Sequence, residues 1–275
     1  MPTPAADRPL LGTTTLLTGA SGGIGEAFAH RLARLGSNLV LVARSQPKLE
    51  TLADRLRDGF DIEVRVVPAD LSQPEGIATI RDALAAEDLA IDLLINNAGF
   101  GTSGPFVETD GEREHEQVMV NVVAVLDLCH LIAPGMVRRG RGAIINVAST
   151  AAFQPMPYMA TYAASKAFVL SFSQALHEEL KDAGVRVLGL CPGPTATHWF
   201  EISGATKLEE LSGKIMRTPA DVVETALRAV DEDRAWVVDG RVSSIMARAQ
   251  RLLPPTLIAK GVKRNFQPED TRAKS

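Results

Sequence analysis

The sequence predicts a doubly wound α/β fold, in which helices cover both faces of a parallel sheet of about seven strands. Three observations carry this prediction. Short apolar runs alternate with longer amphipathic segments along the chain. The runs are nearly continuous stretches of valine, isoleucine and leucine, which is typical of parallel strands buried on both faces. A glycine-rich turn follows the first run directly, as in a dinucleotide-binding βαβ unit.

The predicted elements alternate strictly, which implies right-handed crossovers between parallel strands. The predicted strands are residues 14–18, 38–43, 62–68, 92–95, 143–148, 185–190 and 235–238. The predicted helices are residues 23–35, 46–58, 74–87, 112–138, 160–182 and 220–231. Two parts lie outside this alternation: residues 195–217, which are rich in turn-forming residues, and a basic C-terminal extension, residues 241–275.

Bulk properties indicate an ordinary globular protein. The chain has 275 residues, of which 45% are apolar and 23% charged, and its net charge of −4 gives no basic field for nucleic acid. The length fits a single α/β domain, residues 1–275. Cys129 and Cys191 lie in apolar stretches and indicate buried thiols of a reducing compartment. Neither the cysteines nor the histidines have the spacing of a metal site.

No targeting or membrane segment is predicted. The first residues lack the apolar core of a secretory signal. No segment approaches the length of about 18 uncharged apolar residues that a membrane span needs. We therefore expect a soluble, cytoplasmic protein without a transmembrane segment.

Tyr162 and Lys166 lie four residues apart in Tyr-Ala-Ala-Ser-Lys, within a predicted helix. Residues at this spacing share one helical face. A phenol is a weak acid with an unperturbed pKa of about 10, and a neighbouring ammonium group favours the phenolate. The pair therefore predicts a tyrosine that exchanges a proton with a carbonyl or alcohol oxygen. Ser149, at the end of an apolar run, and Asn121, further upstream, accompany it.

Residues 18–25, Thr-Gly-Ala-Ser-Gly-Gly-Ile-Gly, form the turn before the first helix. Glycines let the backbone approach a pyrophosphate, and the helix N-terminus offers it N–H groups and a positive dipole end. After the second strand, Arg44 occupies the place where an acidic residue would hold the ribose of NAD. We therefore expect NADP(H) rather than NAD(H), although Arg44 could be only a solvated surface charge.

With these residues assembled, the chain resembles the short-chain dehydrogenase/reductase family, whose members share a Rossmann-type sheet. The resemblance runs from about Gly12 to Gly240 and includes the glycine turn. Its other motifs are Asp70-Leu71, Asn96-Asn97-Ala98-Gly99, the set Asn121, Ser149, Tyr162 and Lys166, and Pro-Gly-Pro-Thr-Ala-Thr at residues 192–197. Together these motifs are far more specific than any one of them.

The resemblance implies a role for each catalytic residue. Tyr162 would be the general acid in reduction and the general base in oxidation. Lys166 would lower the pKa of Tyr162 and bind the nicotinamide ribose, and Ser149 would hydrogen-bond the substrate oxygen. Asn121 would hold a water that links Lys166 to solvent. The residues expected to contact the cofactor are Gly19, Ser21, Gly23, Ile24, Gly25, Arg44, Asp70, Leu71, Asn97, Ala98, Gly99, Tyr162, Lys166, Pro192, Gly193, Thr195 and Thr197.

Two regions are expected to shape the substrate pocket: residues 153–159 and a substrate lid, residues 195–217. The apolar side chains expected there are Phe100, Phe153, Met156, Met159, Trp199 and Phe200. They favour a hydrophobic carbonyl or alcohol substrate, whereas Lys207 and Lys214 keep an anionic group open. The alternative is that these aromatic residues only pack the lid.

The extension carries basic residues and no acidic residue between Arg241 and Phe266. Apolar residues recur in it at helical spacing, and Pro254-Pro255 interrupts the pattern. Such a basic amphipathic helix can lie on an anionic membrane surface. It can equally pack on the body of the protein or on a second subunit, which is the commoner outcome. By resemblance, the apolar helices 112–138 and 160–182 would form a four-helix face, so we expect a homodimer or homotetramer.

These residues predict an NADPH-dependent oxidoreductase, of carbonyl reductase or alcohol dehydrogenase type, that interconverts a ketone or aldehyde and an alcohol by hydride transfer. One alternative is a regulatory or scaffold protein that senses NADPH without turnover, which would not need the Tyr162–Lys166 pair. Another is an NAD-dependent epimerase or dehydratase, for which the region after Val185 leaves too little room for a sugar-nucleotide domain. The substrate, the stereochemistry and the physiological direction stay open.

Overall fold

The computed structural model describes residues 10, 12–205, 213, 216–250 and 254–266. Seven parallel strands form its sheet, in the order β3-β2-β1-β4-β5-β6-β7. They are β1 (Thr14–Thr18), β2 (Asn38–Ala43), β3 (Val64–Pro68), β4 (Leu93–Asn96), β5 (Gly142–Val147), β6 (Val185–Cys191) and β7 (Trp236–Val238). The strand order reverses between β1 and β4, where ligands bind in folds of this class. The predicted fold class is confirmed.

Helices cover both faces of the sheet. They are α1 (Gly23–Leu35), α2 (Gln46–Gly59), α3 (Pro74–Ala86), α4 (Gly111–Val118), α5 (Ala124–Arg139), α6 (Ala160–Leu180), α7 (Trp199–Ser203), α8 (Pro219–Asp231), α9 (Arg241–Gln250) and α10 (Pro255–Phe266). A π-helical turn, Met119–Val123, joins α4 to α5. The long helix predicted at 112–138 is therefore three pieces, although the chain keeps its direction through them.

The strands bury both faces, as their composition predicts. Leu16, Leu94 and Ile144 lie in the core beneath α3, α5 and α6, whereas their neighbours in the sequence face α1, α2 and α8. Those neighbours are Leu17, Ile95 and Ile145. The alternation follows from the two-residue repeat of a strand, and burying each such side chain contributes about 1.5–3 kcal/mol.

The predicted boundaries are close to the observed ones, and among the strands the largest difference is at β3. The strand was expected to begin at residue 62, but it begins at Val64. A turn occupies the intervening residues, because Phe60 N donates to Leu56 O and Ile62 N donates to Phe60 O. That turn ends α2 and delays the pairing of β3 with β2.

By length and composition, residues 111–139 form a helical stretch long and apolar enough to cross a membrane, contrary to the expectation that no segment approaches such a length. Its second half packs Leu128, Ile132 and Met136 into the core beside the sheet. The helix therefore has an inner face of the kind that a helix packed on a sheet presents.

Candidate active site

The loops that follow β1, β4, β5 and β6 surround one cavity of about 1250 Å³, which we call the site cavity. It lies where the strand order reverses, as expected for a doubly wound sheet. The glycine turn lines one end, and residues of α6, α7 and the C-terminal extension line the other. The cavity therefore joins the expected cofactor region to the expected substrate region.

Three of the four predicted catalytic residues line the site cavity together. Tyr162 and Lys166 lie one turn apart on α6, and both are buried. Ser149 follows β5 and hydrogen-bonds Tyr162, while its Oγ accepts a hydrogen bond from Ala151 N at 3.1 Å. Lys166 Nζ donates to Val147 O at 2.8 Å and lies 5.9 Å from the centre of the Tyr162 ring.

Burial controls the protonation of this pair in the protein alone. It raises the pKa of Tyr162 to about 12, and the hydrogen bond with Ser149 opposes the rise. It lowers the pKa of Lys166 to about 8, with Cys191 opposing. The sequence predicted the reverse for Tyr162, because it considered the charge of Lys166 and not the dehydration of a buried phenolate. At neutral pH, Tyr162 therefore keeps its proton and can donate it.

Asn121 does not line the site cavity but is buried behind its wall. It is fully buried in the π-helical turn. Its Nδ2 donates to Phe100 O at 2.9 Å and to Ser165 Oγ at 3.0 Å, and its Oδ1 accepts from Phe100 N at 3.2 Å. The side chain thus fixes the loop after β4 against α6. Its expected role in holding a water stays a prediction.

The glycine turn has the shape that a pyrophosphate needs. Gly19 and Gly23 have positive φ angles of 65° and 58°, a conformation that favours glycine. Asn97 Nδ2 holds the turn by donating to Thr18 O at 2.9 Å and to Gly19 O at 3.2 Å. Gly25 lies behind the turn rather than on the cavity wall, and a Cβ there would meet Gly19 O at 2.1 Å. α1 begins without a side-chain cap, which leaves its N-terminus to a ligand.

The other predicted cofactor residues also line the site cavity. They are Gly19, Ser21, Gly23, Ile24, Arg44, Asp70, Leu71, Asn97, Ala98, Gly99, Tyr162, Lys166, Pro192, Gly193, Thr195 and Thr197. Beside Arg44 the structure adds Ser45 and Lys48, which the sequence analysis missed. The sequence contained a signal for Lys48, because it follows Arg44 by four residues and lies in the first turn of the predicted helix 46–58. Two cations at the end of β2 fit a phosphate on the adenosine ribose.

The substrate end is apolar. Of the side chains expected there, Phe100, Met156, Trp199 and Phe200 line the site cavity. The Trp199 ring lies 4.9 Å from the Tyr162 ring, tilted by 48°. Gly101 makes room for this contact, since a Cβ there would lie 2.8 Å from Trp199 Cζ2. A compound that reaches Tyr162 from the site cavity therefore passes beside an indole ring.

Two of the expected pocket residues lie elsewhere. A short 3₁₀ turn, Thr150–Phe153, directs Phe153 into the core, where its ring packs 5.6 Å from that of Trp236. Met159 is buried in the cluster beneath Tyr162 and does not reach the cavity wall. A sequence shows that a segment is apolar but not which of its side chains a turn directs inward.

The C-terminal extension completes the cavity wall, which the sequence analysis did not foresee. Ser243, Met246 and Ala247 of α9 and Val262 of α10 line it. Among the alternatives for the extension, packing on the body is therefore found for one face of each helix. Lys207 and Lys214, which were expected in the lid, lie outside the described residues, as do Arg251, Leu252 and Leu253 of the extension.

A family model described as short chain dehydrogenase matches residues 13–207. The chain belongs to the short-chain dehydrogenase family. The match confirms the family predicted from the motifs and, with it, the enzyme class: an oxidoreductase of the short-chain dehydrogenase type that uses NAD(P).

Named relatives and solved structures agree with this assignment. A very-long-chain 3-oxoacyl-CoA reductase of Mus musculus is 36% identical over 247 residues, covering 87% of this chain and 77% of the mouse protein. Matches to proteins of that name from Anas platyrhynchos and Rattus norvegicus span slightly less than two thirds of those proteins. A short-chain dehydrogenase from Sphingobium yanoikuyae in complex with NADPH has a TM-score of 0.79 at 34% identity, covering 96% of this chain and 98% of that one. The bulky-bulky ketone specific alcohol dehydrogenase of Comamonas testosteroni has a TM-score of 0.75 at 32% identity, covering 94% and 96%.

In this short-chain dehydrogenase, a partly buried ion pair joins the expected lid to the body of the protein. Thr195 and Arg217 form a parallel bridge, so the two ends of residues 195–217 lie side by side. Arg217 Nε donates to Asp239 Oδ2 at 3.0 Å. Asp239 is fully buried, and its Oδ1 accepts from Thr225 Oγ1 at 2.7 Å. α9 begins two residues after Asp239, so this pair joins the lid to the extension.

Arg217→Met is expected to destabilise the protein by about 2–4 kcal/mol, because it leaves the buried Asp239 carboxylate without its cation. Urea unfolding followed by circular dichroism measures this. The matched control is Arg31→Met, which breaks the ion pair with Glu224 on the surface and should cost less than about 1 kcal/mol. Equal losses in the two variants would contradict the role of Asp239.

Proposed function

We propose that this protein is an NADPH-dependent carbonyl reductase that acts on a bulky apolar ketone or aldehyde. The carrying observation is the buried Tyr162, protonated at neutral pH, hydrogen-bonded to Ser149 and one helical turn from Lys166. The same cavity holds the glycine turn at one end and an apolar wall at the other. A carbonyl held at Tyr162 therefore has a proton donor beside it and a nucleotide site within reach.

The proposed roles follow from these positions. When bound, a nicotinamide cofactor would supply the hydride for the carbonyl carbon. The Ser149 and Tyr162 hydroxyls converge on the place of the carbonyl oxygen and polarise it, and Tyr162 gives its proton to that oxygen. The product is an alcohol, and the phenolate left behind is stabilised by the Lys166 ammonium nearby. In the oxidation of an alcohol the same proton returns to Tyr162.

We propose NADP(H) as the preferred cofactor. Arg44 and Lys48 support this, since both line the site cavity at the end of β2. The S. yanoikuyae neighbour was solved with NADPH, and its overall likeness to this chain adds support.

Arg44→Ala is expected to raise KM for NADPH by about 10–100-fold, the value of one charge-assisted hydrogen bond to a phosphate. KM for NADH should change little. Lys48→Ala should have a smaller effect in the same direction, because an ammonium group makes no bidentate contact. Arg55→Ala is the matched control, since Arg55 lies on α2 as Lys48 does but pairs with Glu26. An equal rise in KM for NADPH and for NADH after Arg44→Ala would contradict the proposed preference for NADP(H).

The proposed substrate class is a carbonyl on a long acyl chain, with 3-oxoacyl thioesters first. Several relatives are named very-long-chain 3-oxoacyl-CoA reductases, and the solved neighbour from C. testosteroni is a bulky-bulky ketone specific alcohol dehydrogenase. The wall of the site cavity supports the proposal with its apolar side chains. They are Met156, Trp199, Phe200, Ile202, Met246 and Val262.

The test is NADPH oxidation with 3-oxoacyl-CoA thioesters of increasing chain length, beside aromatic ketones, steroids and quinones. If the apolar wall binds the chain, kcat/KM should rise with each added methylene, by up to about fourfold for about 0.8 kcal/mol of burial. A rate independent of chain length would refute the acyl proposal. NADPH binding without turnover of any of these carbonyls would favour the alternative function, a regulatory or scaffold protein that senses NADPH.

We also propose a homodimer or homotetramer, held by the outer faces of α4, α5 and α6. Phe168 is partly exposed and stacks on Phe172 at 5.8 Å, beside Val118, Val122 and Ala164 in a shallow apolar groove. Burying this surface against a second copy would remove it from water.

A cytoplasmic location is proposed as well, because both cysteines are buried free thiols.

Light scattering at micromolar concentration should give the mass of a dimer or tetramer. Phe168→Glu should yield monomers, because it places a charge in the apolar contact. Phe106→Glu, at an exposed residue of a short 3₁₀ helix, is the control. A monomeric wild-type protein would refute the proposal.

A further inference from the structure

The C-terminal extension has an inner face and an outer face. On α9, Ser243 and Ala247 are buried against the site cavity. Val242, Ile245 and Met246 recur at helical spacing on the other side, and each is at least half exposed. Exposed aliphatic side chains grouped on one helical face usually mark a contact surface.

α10 repeats the arrangement. Val262 packs against the cluster that contains Met156 and Tyr162. Leu257 is 59% exposed, and Lys260, Lys263 and Arg264 are exposed as well. We call the exposed side chains of the two helices the outer face of the extension. They are Val242, Ile245, Met246, Leu257, Lys260, Lys263 and Arg264.

The outer face borders the mouth of the site cavity. Met246 is half exposed and also lines the cavity. Ile202 of α7 has the same double position. An apolar compound that leaves this surface would therefore meet a continuous apolar path to the substrate end.

Charge indicates what covers the outer face. Residues 241–266 contain six basic residues and no acidic residue, although the whole chain has a net charge of −4. A symmetric contact with the same face of a second copy would bring these cations together, which is unfavourable. Aliphatic side chains among lysine and arginine are instead typical of helices that lie on anionic lipid surfaces.

We propose that the outer face of the extension docks on an anionic lipid bilayer, with the mouth of the site cavity turned toward it. An amphiphilic carbonyl compound then enters from the bilayer without crossing water. This entry step rests on the proposed function, whereas the docking does not.

The test is co-sedimentation of the full chain with vesicles of phosphatidylcholine, with and without phosphatidylglycerol. We expect at least tenfold stronger partitioning to the anionic vesicles, and a loss of that binding in about 0.5 M salt. Ile245→Asp with Leu257→Asp should lower it at least tenfold, and so should Lys260→Glu with Lys263→Glu. The matched controls, Val107→Asp on a residue that is 90% exposed and Arg81→Glu on α3, should bind as the wild type does.

Three outcomes would overturn the docking: no binding to either vesicle, equal binding to both, or full binding by the extension variants. If Ile245→Asp with Leu257→Asp changes the oligomer mass but not the vesicle binding, the outer face is a contact between copies instead. Turnover of a short, water-soluble ketone is measured in parallel and should be the same in these variants. Absence of wild-type turnover on every carbonyl of the chain-length series would refute the proposed function and leave the docking result unaffected.

Discussion

Tyr162→Phe is expected to lower kcat by about 10²–10⁴-fold, the usual contribution of a positioned general acid. The variant keeps the ring that packs on Trp199 and loses only the hydroxyl that Ser149 contacts. NADPH binding should therefore change by less than about twofold, which fluorescence titration measures beside the steady-state rate. The loss belongs to the chemical step because Tyr162 is the residue proposed to give its proton to the carbonyl oxygen, whereas Ser149 only polarises that oxygen.

The chain provides a matched control, because it has one other tyrosine, Tyr158. Tyr158→Phe removes the same hydroxyl from a residue outside the cavity wall and should leave kcat within about twofold. Comparable turnover in Tyr162→Phe and the wild type would show that the proton comes from elsewhere. A parallel loss of NADPH binding would instead indicate a damaged site.

The positions of the strands were predictable from the sequence because burial on both faces leaves a strong local signal. Leu16 and Leu17 are adjacent and enter different cores, so the run that contains them has no polar interruption. The π-helical turn at Asn121 was harder to predict from the sequence. Asparagine within an apolar helix indicated a distortion, but the form of that distortion depends on Phe100 and Ser165, which lie far away in the sequence.

The candidate site was predictable to the extent that its residues stand in short motifs. The glycine turn and the Tyr162–Lys166 pair have fixed local spacings, and the fold brings them to one edge of the sheet. The direction of the Tyr162 pKa shift was not predictable, since it depends on burial by residues from several elements. Val262 was missed for the same reason, because no periodicity shows that a helix some hundred residues after Tyr162 packs beside it.

Lys166→Met is expected to abolish most turnover and yet to stabilise the cofactor-free protein at pH 7. Burial lowers the pKa of Lys166 from 10.5 to about 8, so the folded protein holds a charge that it disfavours by about 3 kcal/mol, at about 1.4 kcal/mol per pKa unit. Methionine has nearly the same shape without the charge. It leaves Val147 O without the hydrogen bond from Nζ, which costs about 1–2 kcal/mol. The expected net gain is about 1–2 kcal/mol.

The pH dependence distinguishes this effect from simple repacking. Between about pH 8 and 10.5 the unfolded chain binds more protons at Lys166 than the folded protein does. Stability from this group therefore rises with pH across that window and is lost as pH falls through it. Burial also raises the pKa of Cys129 to about 12, which lowers stability above about pH 9 in both proteins. The difference between wild type and variant, and not either curve alone, reports Lys166.

Urea unfolding of the two proteins at pH 7 and at pH 10 is the measurement. The Lys166→Met advantage should shrink or reverse at pH 10, because the folded wild-type lysine is then neutral and still donates to Val147 O. If the variant is less stable at pH 7, and the difference in free energy of unfolding from the wild type does not change with pH, the buried ammonium does not destabilise the folded protein. The expected result would mean that the site keeps a destabilising charge beside Tyr162, which is the exchange of stability for activity that active sites often show.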